Sequence, residues 1–269
     1  MNTLFSQRWR TRRDSYRPVG EPIQTALYEV APITSDGPAK AFVTEHHYSG
    51  SYPAARFRFG LYRRAHLVGV AVFSHPCNDR VLTSVFPVPV TEAVELGRFV
   101  LLDDVPANGE TWFLARCFER LRRDVAGVVS FADPVPRQTA TGETVFPGHI
   151  GTIYQAGNGV YLGRGTARTL RLLPDGRVLS ARAAQKIRAA DRGWRYSAQL
   201  LIDAGAPSPE EGSGAAWLRV WLPRLTRALR HPGNHRYAWP LCRSLRPRLP
   251  SSLPYPKLTL APAAAGRAL

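Results

Sequence analysis

Three features of the sequence predict a mixed α/β fold, with a mixed central β-sheet flanked by helices and basic extensions at both ends of the chain. Apolar, β-branched runs such as residues 67–73 and 127–131 have the length of buried strands. Residues 111–123 place apolar side chains at helical spacing with charged ones on the other side, which indicates an amphipathic helix. Strands and helices alternate, which favours helices on both faces of one sheet.

The predicted elements begin with a strand and then follow one order. They are strand 25–33, helix 39–48, the hairpin strands 56–63 and 67–73, strand 93–101, helix 111–123 with Asn108 as its N-cap, strand 127–131, helix 149–156, a strand and turn over 159–173, and helices 180–192 and 197–204. The core of this order, β-α-β-β-β-α-β-α-β, is that of the GNAT acyltransferase fold. Such an analogy concerns the fold and does not give a function.

Composition divides the chain into a basic N-terminal arm (1–20), a GNAT-like catalytic domain (21–204) and a Pro-, Arg- and aromatic-rich extension (205–269). The arm is expected to be mobile and to bind along a row of phosphate groups, or else to be a solvated tail. Its arginines are Arg8, Arg10, Arg12, Arg13 and Arg17. In the extension, where residues 205–214 look like a linker, aromatic rings among basic residues could stack on bases or pack onto the core.

The net charge of +16 indicates a polyanionic partner. Only three of the 36 basic residues are lysines, and arginine binds phosphate with two parallel hydrogen bonds. Codon preference explains arginine over lysine, but it does not explain the excess of basic over acidic residues. The charge therefore predicts nucleic acid as the partner, and a membrane surface is not expected because no long amphipathic basic helix is evident.

The cysteines and the apolar segments indicate a reducing compartment. Cys77, Cys117 and Cys242 are widely spaced, and without a CxxC pair a structural zinc site is not expected. No apolar segment follows the basic N-terminus and no run reaches 18 apolar residues, so neither a signal peptide nor a membrane span is expected. These features predict a cytoplasmic protein.

Two candidate site residues follow apolar strand segments, where α/β folds build active sites. Arg98 lies inside an apolar strand, so it contacts substrate or phosphate, or else pairs with Glu95 or Asp133. Asp133 ends the strand at 127–131, so it binds a donor group or acts as a base, or else caps the next turn.

Three further positions carry ionisable groups near helix ends. His149 opens the predicted helix 149–156, where the helix dipole lowers a histidine pKa, so it acts as a base or ligand, or else only hydrogen bonds the helix start. Tyr154 lies where GNAT folds place the acid that reprotonates a leaving thiolate. In Glu45-His46-His47-Tyr48 the histidines point about 100° apart, so at most one faces a site, and a metal would need ligands from elsewhere.

The GNAT pyrophosphate loop, Gln/Arg-x-x-Gly-x-Gly/Ala, is absent. The matching residues, 105–110, contain one glycine, which argues against ordinary acetyl-CoA binding. A helix N-terminus at Asn108 and Gly109 can still bind phosphate.

Taken together, these segments resemble the Mom family of phage DNA modification proteins, of the phage Mu type. The resemblance is clearest over residues 25–190. The residues that carry it are Glu45-His46-His47-Tyr48-Ser49, Glu95-Leu96-Gly97-Arg98-Phe99-Val100, Phe131-Ala132-Asp133-Pro134, Gly148-His149-Ile150-Gly151-Thr152-Ile153-Tyr154-Gln155-Ala156, Asn234-His235-Arg236-Tyr237 and Tyr255-Pro256-Lys257.

The resemblance implies a GNAT-like fold and conversion of DNA adenine to N6-carbamoylmethyl (acetamido) adenine, which shields phage DNA from host restriction. It also implies an acyl-CoA-type donor and iron, with His47 as a candidate ligand. The base must leave the duplex and be stacked in a pocket. The residues implied are Arg98, Asp133, His149 and Tyr154 at the reaction centre, His47, Tyr48, Tyr52, Thr152 and Tyr161 for the substrate, and Asn108 and Gly109 for the cofactor.

Two other functions stay open at this point. One is a GNAT-type N-acetyltransferase acting on a protein or small-molecule amine, with the charge serving CoA binding and solubility. The other is a non-catalytic DNA-binding protein. The sequence also leaves open the donor, the target sequence and whether the chain forms a homodimer.

Overall fold

The computed structural model describes residues 5–10, 13–18 and 20–257. The strands are β1 (Phe5–Arg10), β2 (Arg13–Pro18), β3 (Tyr28–Pro32), β4 (Ala55–Arg63), β5 (His66–Ser74), β6 (Ala93–Leu101), β7 (Gly127–Ala132), β8 (Arg137–Gln138), β9 (Thr144–Phe146), β10 (Val160–Arg164), β11 (Arg168–Leu172), β12 (Val178–Leu179), β13 (Arg227–His231) and β14 (His235–Pro240). The helices are α1 (Asp36–His46), α2 (Arg80–Thr83), α3 (Gly109–Leu121), α4 (Thr152–Ala156), α5 (Ala181–Ala189), α6 (Trp194–Ile202) and α7 (Gly214–Leu225). None of these helices is long and apolar enough to cross a membrane.

A seven-stranded sheet in the order β10-β14-β7-β6-β5-β4-β3 forms the centre of the protein. The strands pair antiparallel, except that β6 and β7 are parallel. The apolar stripe of α3 packs on one face through Phe113 and Leu114, and α1 packs on the other through Phe42 and Val43. The predicted mixed sheet flanked by helices is therefore confirmed, and the elements from β3 to β10 follow the predicted order.

The parallel pair β6 and β7 separates after a short contact. Their register covers only residues 93–95 against 127–129. Beyond it, the Ser130 hydroxyl donates a hydrogen bond to the Leu96 carbonyl at 3.0 Å, where a backbone pair would otherwise continue. The sheet is thus open at the carboxyl ends of these two strands.

One predicted helix start is wrong. The predicted helix 149–156 begins only at Thr152, because Gly148 and Gly151 have φ of +74° and +79° and interrupt it. His149 therefore lies in the preceding loop. Asn108 occupies the predicted N-cap position of α3, although its side chain makes no capping hydrogen bond.

The C-terminal region belongs to the fold and is not a separate extension. Strand β14 lies between β10 and β7, so the predicted boundary at residue 204 cuts through the sheet. Its alternating pattern buries Tyr237 and Trp239 in the main core, and Trp217 is buried as well. These three rings therefore pack inside the protein, which was the second of the two roles considered for the aromatic residues of the extension.

Residues 165–234 form an inserted unit between two neighbouring strands. Arg164 at the end of β10 pairs directly with His235 at the start of β14. The inserted unit has its own sheet, β12-β11-β13, and the helices α5 to α7. Its apolar cluster includes Ile187, Leu201 and Leu218. The predicted linker at 205–214 connects α6 to α7 within this unit.

Two arginines of the predicted arm are bound to the domain. Arg8 is buried, pairs with Glu110, and donates to the carbonyls of Leu102 and Val105 at 2.9 and 2.7 Å. Arg17 pairs with Glu21 and donates to the Asp103 carbonyl at 2.8 Å. For these two side chains the expectation of a mobile, phosphate-following arm is wrong. Arg12 and the side chains of Arg10 and Arg13 lie outside the described residues.

We predict that Arg8→Met lowers the free energy of unfolding by about 3 kcal/mol, because it leaves Glu110 buried without its cation. Burial already raises the pKa of Glu110, which makes its ionised form costly. Urea denaturation measures the change. Arg8→Met with Glu110→Gln should recover most of the loss, and Arg116→Met, in an exposed pair, should change stability by less than about 1 kcal/mol. Equal losses in the single and double variants would contradict the prediction.

Candidate active site

A cluster of rings lies near the opening between β6 and β7. Tyr48, which follows α1, stacks on His47 and Phe146 with ring centroids 4.1 and 4.7 Å away. Its hydroxyl is 3.4 Å from Nε2 of His149. The Tyr48 side of this cluster is open to solvent, since 39% of that residue is exposed.

Tyr154 forms the buried side of the cluster. It is the buried residue of α4, with its ring 5.5 Å from those of Tyr237 and Trp239 and 6.4 Å from that of His149. Burial raises the pKa of Tyr154, while a hydrogen bond with Ser130 opposes that change. The phenol is therefore protonated at neutral pH and can donate a hydrogen bond.

Arg98 brings a fixed positive charge to the same opening. Its guanidinium donates to the Ser51 carbonyl and hydroxyl, each at 2.8 Å, and to the Gly97 carbonyl at 2.5 Å. In the described part of the chain Arg98 forms no ion pair with Glu95 or Asp133, so the salt bridge considered as the alternative role of Arg98 is not supported. Burial lowers the pKa of Arg98, which means that an anionic or carbonyl group would compensate its desolvation.

Glu95 is a site residue that the sequence analysis did not select. Burial raises the pKa of its carboxyl, and the nearby Arg98 opposes that shift. Among the described residues no hydrogen-bond donor contacts this carboxylate. It lies where the pairing of β6 with β7 ends, opposite Val129. The signal that singled out Arg98, a charge inside an apolar strand, applied equally to Glu95.

Both histidines of the cluster are held neutral. Burial lowers the pKa of His47 to about 3, and the charge of Arg98 adds to this. Burial lowers the pKa of His149 to about 4 against the opposing charge of Asp133. Nδ1 of His47 accepts the Ser49 backbone N–H at 3.1 Å, so this nitrogen is already engaged.

Asp133 lies next to the cluster, but its carboxylate is occupied. It pairs with Arg137, contacts Nε2 of His231 at 2.9 Å and accepts the Val135 N–H at 3.0 Å. Its backbone carbonyl accepts the His149 N–H at 2.7 Å. The turn-capping alternative is therefore correct, and Asp133 positions the loop of His149.

Three predicted substrate residues do not join the cluster. Tyr161 is buried and its hydroxyl lies 2.8 Å from Nδ1 of His235, so it cannot stack on a base. The Tyr52 hydroxyl donates to Asp36 at 2.9 Å, away from the rings. Thr152 is exposed at the start of α4.

The start of α3 does not fit a nucleotide pyrophosphate. The Ala107 and Asn108 amides donate to Glu21, at 3.2 Å to its carboxylate and 3.3 Å to its carbonyl, and Gly109 N–H donates to the Pro106 carbonyl at 2.8 Å. These amides are therefore engaged, and the carboxylate of Glu21 would repel a phosphate. The predicted cofactor contacts of Asn108 and Gly109 are wrong in this conformation. A cavity of about 480 Å³ lies beside them, between α3 and the end of α4.

The described residues contain no group of three His, Cys, Asp or Glu side chains that could hold a metal ion. His47 has no second and third ligand beside it in this part of the chain. The donor set in this part of the chain thus does not fit iron.

The fold and the cluster define an α/β protein with a solvent-open group of rings and ionisable side chains between two diverging strands. The family model described as the Mom protein family matches residues 27–257. The chain therefore belongs to the Mom family, a family of phage DNA modification proteins.

Among solved structures, the chain is similar to a tandem GNAT protein from the clavulanic acid biosynthesis pathway, determined without acetyl-CoA. The sequence identity is 8%, and the match covers 80% of this chain and 99% of that chain. The TM-score is 0.41, and a likeness at this level does not bear on function. None of the curated proteins compared matches the chain.

We predict that the two neutral histidines make the protein less stable as the pH falls. The unfolded chain binds protons near pH 6.5, whereas folded His47 and His149 do so only near pH 3 and 4. Their contribution is thus complete above pH 6.5 and is lost as the pH falls from there. Between pH 7 and 4.5, His47→Asn/His149→Asn should remove about 2 kcal/mol per histidine of the decline in unfolding free energy. An unchanged decline would contradict this, and His66→Asn, at an exposed position, is the control.

Proposed function

We propose that the protein modifies adenine in double-stranded DNA, replacing one hydrogen on N6 by a carbamoylmethyl group and so protecting phage DNA from host restriction. The observation that carries the proposal is the meeting of Tyr48, Arg98 and Tyr154 at the opening between β6 and β7, in a chain of the Mom family. The opening faces solvent on the Tyr48 side and is closed by buried rings on the Tyr154 side.

The target amine is paired in duplex DNA, so the base must leave the stack before it can react. The partly exposed ring of Tyr48 offers a stacking surface, and His47 and Phe146 support that ring from within the protein. Stacking a base on an aromatic side chain contributes about 1–3 kcal/mol, which offsets part of the cost of unstacking.

The reaction forms one bond and breaks another at a methylene carbon. Adenine N6 bonds to the methylene of a carbamoylmethyl donor, and the donor's leaving group departs with the electron pair of the bond that breaks. One N6 proton then passes to a base. Glu95 suits that role, because its pKa is raised toward neutrality while its carboxylate has no other proton donor. Arg98 and Tyr154 donate hydrogen bonds to the carbonyl or the leaving group.

Two observations favour this proposal over the alternatives. Glu21 engages the amides at the start of α3, which disfavours an ordinary acetyl-CoA-dependent N-acetyltransferase. A purely DNA-binding protein does not require a buried tyrosine, an arginine and a carboxylate of raised pKa to converge on one opening.

We predict that expression of the chain in bacteria yields adenosine carrying a carbamoylmethyl group, detected by mass spectrometry of digested DNA. Arg98→Ala should abolish the adduct, since it removes the guanidinium that the Ser51 and Gly97 carbonyls hold at the opening. Arg123→Ala, an exposed arginine at the far end of α3, should leave the adduct unchanged. Soluble parent protein without any adenosine adduct would contradict the proposed function.

We predict that Glu95→Gln lowers the rate of adduct formation by about 100-fold, because the variant cannot take the amine proton. In the parent protein the rate should rise with pH as Glu95 ionises, at a pH above the usual glutamate range. That rise should be missing in the variant. A variant with the parental rate and pH profile would exclude Glu95 as the base.

A further inference from the structure

The inserted unit, residues 165–234, carries an excess of basic side chains that its own folding does not use. Residues 165–231 contain eleven arginines and one lysine against five acidic residues. Within this range the described ion pairs are Arg177 with Asp175 and a long one of 3.8 Å between Arg195 and Glu211. Most of its arginines are exposed and form no ion pair within the described part of the chain, namely Arg168, Arg182, Arg188, Arg192, Arg219, Arg224, Arg227 and Arg230.

We propose that the inserted unit is the docking surface for the phosphate backbone of duplex DNA, and that it holds the duplex while a base enters the opening between β6 and β7. This inference rests on the proposed DNA substrate. It assigns binding of the DNA backbone to the inserted unit, which is a different part of the chain from the reaction centre.

Strands β11 and β13 supply one arginine pair for this surface. Thr169 lies opposite Arg230 and Arg171 opposite Ala228, so the four residues share one face. The two arginines are diagonal neighbours, with Cα atoms about 7–8 Å apart. Like charges at this distance repel each other, and an anion between or across them relieves that repulsion.

Helix α5 supplies a second pair next to the same sheet. Arg182 and Arg188 are exposed on α5, whose buried Ile187 packs in the cluster that includes Leu179 of β12. Leu179 pairs with Arg171, so the helix and the arginine-bearing strand belong to one rigid block. The positive charge of the unit is therefore held on packed elements.

The inserted unit is joined to the reaction centre by short contacts. His231 ends β13 and contacts Asp133 at 2.9 Å, and the Asp133 carbonyl accepts the His149 N–H. On the other side, the Ala140 N–H donates to the Pro174 carbonyl at 2.7 Å. A duplex held by Arg230, the residue before His231, is thereby held in a defined relation to the cluster of rings.

Charge complementarity favours DNA over an apolar partner. The exposed large apolar side chains of the inserted unit are Tyr196 and Val220, in contrast to its eight exposed, unpaired arginines. A polyanion with regularly spaced phosphates can bind separate guanidinium groups. Each such contact releases counterions from the DNA, so the affinity of the protein for DNA falls steeply as the salt concentration rises.

The test measures how the affinity of the full chain for a short duplex depends on salt, by fluorescence anisotropy. Arg171→Gln/Arg230→Gln and Arg182→Gln/Arg188→Gln should each weaken binding by about tenfold and reduce the slope of log K against log salt by about 2. The matched control is Arg122→Gln/Arg123→Gln, which makes the same change of charge on exposed residues at the far end of α3.

The outcomes separate this inference from the proposed function. Reduced slopes in both test variants and an unchanged slope in the control support the docking surface, even if no adenosine adduct is found. Equal slopes in all variants overturn it, even if the adduct forms. A control variant whose salt slope falls as much as those of the test variants also overturns it, because binding would then follow net charge alone. A parent chain that binds anionic vesicles but no duplex overturns it as well.

Discussion

The structure depends on the brief parallel contact between β6 and β7. Only residues 93–95 pair with 127–129, and a hydroxyl from Ser130 then takes the place of a backbone donor. Because the two strands part inside an otherwise continuous sheet, polar side chains can occupy the middle of the fold without breaking its core. The residues of the candidate site meet at this opening, and they come from β6, the loop after α1, the end of β9, the loop before α4 and α4 itself.

The electrostatics of the site follow from this partial burial. Arg98, Glu95, Tyr154 and the two histidines all lose solvent, and each pKa moves in the direction that disfavours its charged form. At neutral pH this leaves the fixed positive charge of Arg98 beside a neutral phenol and two neutral imidazoles, with Glu95 as the titratable carboxyl. Such an arrangement is suited to a reaction in which a neutral amine loses a proton while a leaving group gains electrons.

Local patterns in the sequence were sufficient for most of the sheet, since β4 to β7 are strongly apolar or alternating. They also led to Arg98, Tyr154, Tyr48 and the histidines, because a polar residue inside an apolar element is visible without a structure. They were insufficient where contacts between distant parts of the chain determine which side chains are free to bind a substrate. Tyr161 and Tyr52 look as available as Tyr48, yet His235 and Asp36 engage their hydroxyls. The partners of Asp133 and the place of β14 likewise depend on residues about 100 positions apart.

The pairing of Arg164 with His235 has a consequence for how the protein folds. The neighbours β10 and β14 are separated by the whole inserted unit, and β14 also fills the gap between β10 and β7. Closing so long a loop is slow, and the contacts that reward it come last. Tyr237 and Trp239, which support Tyr154, lie on that final strand. During synthesis the cluster of rings therefore stays incomplete until the chain has been made through β14.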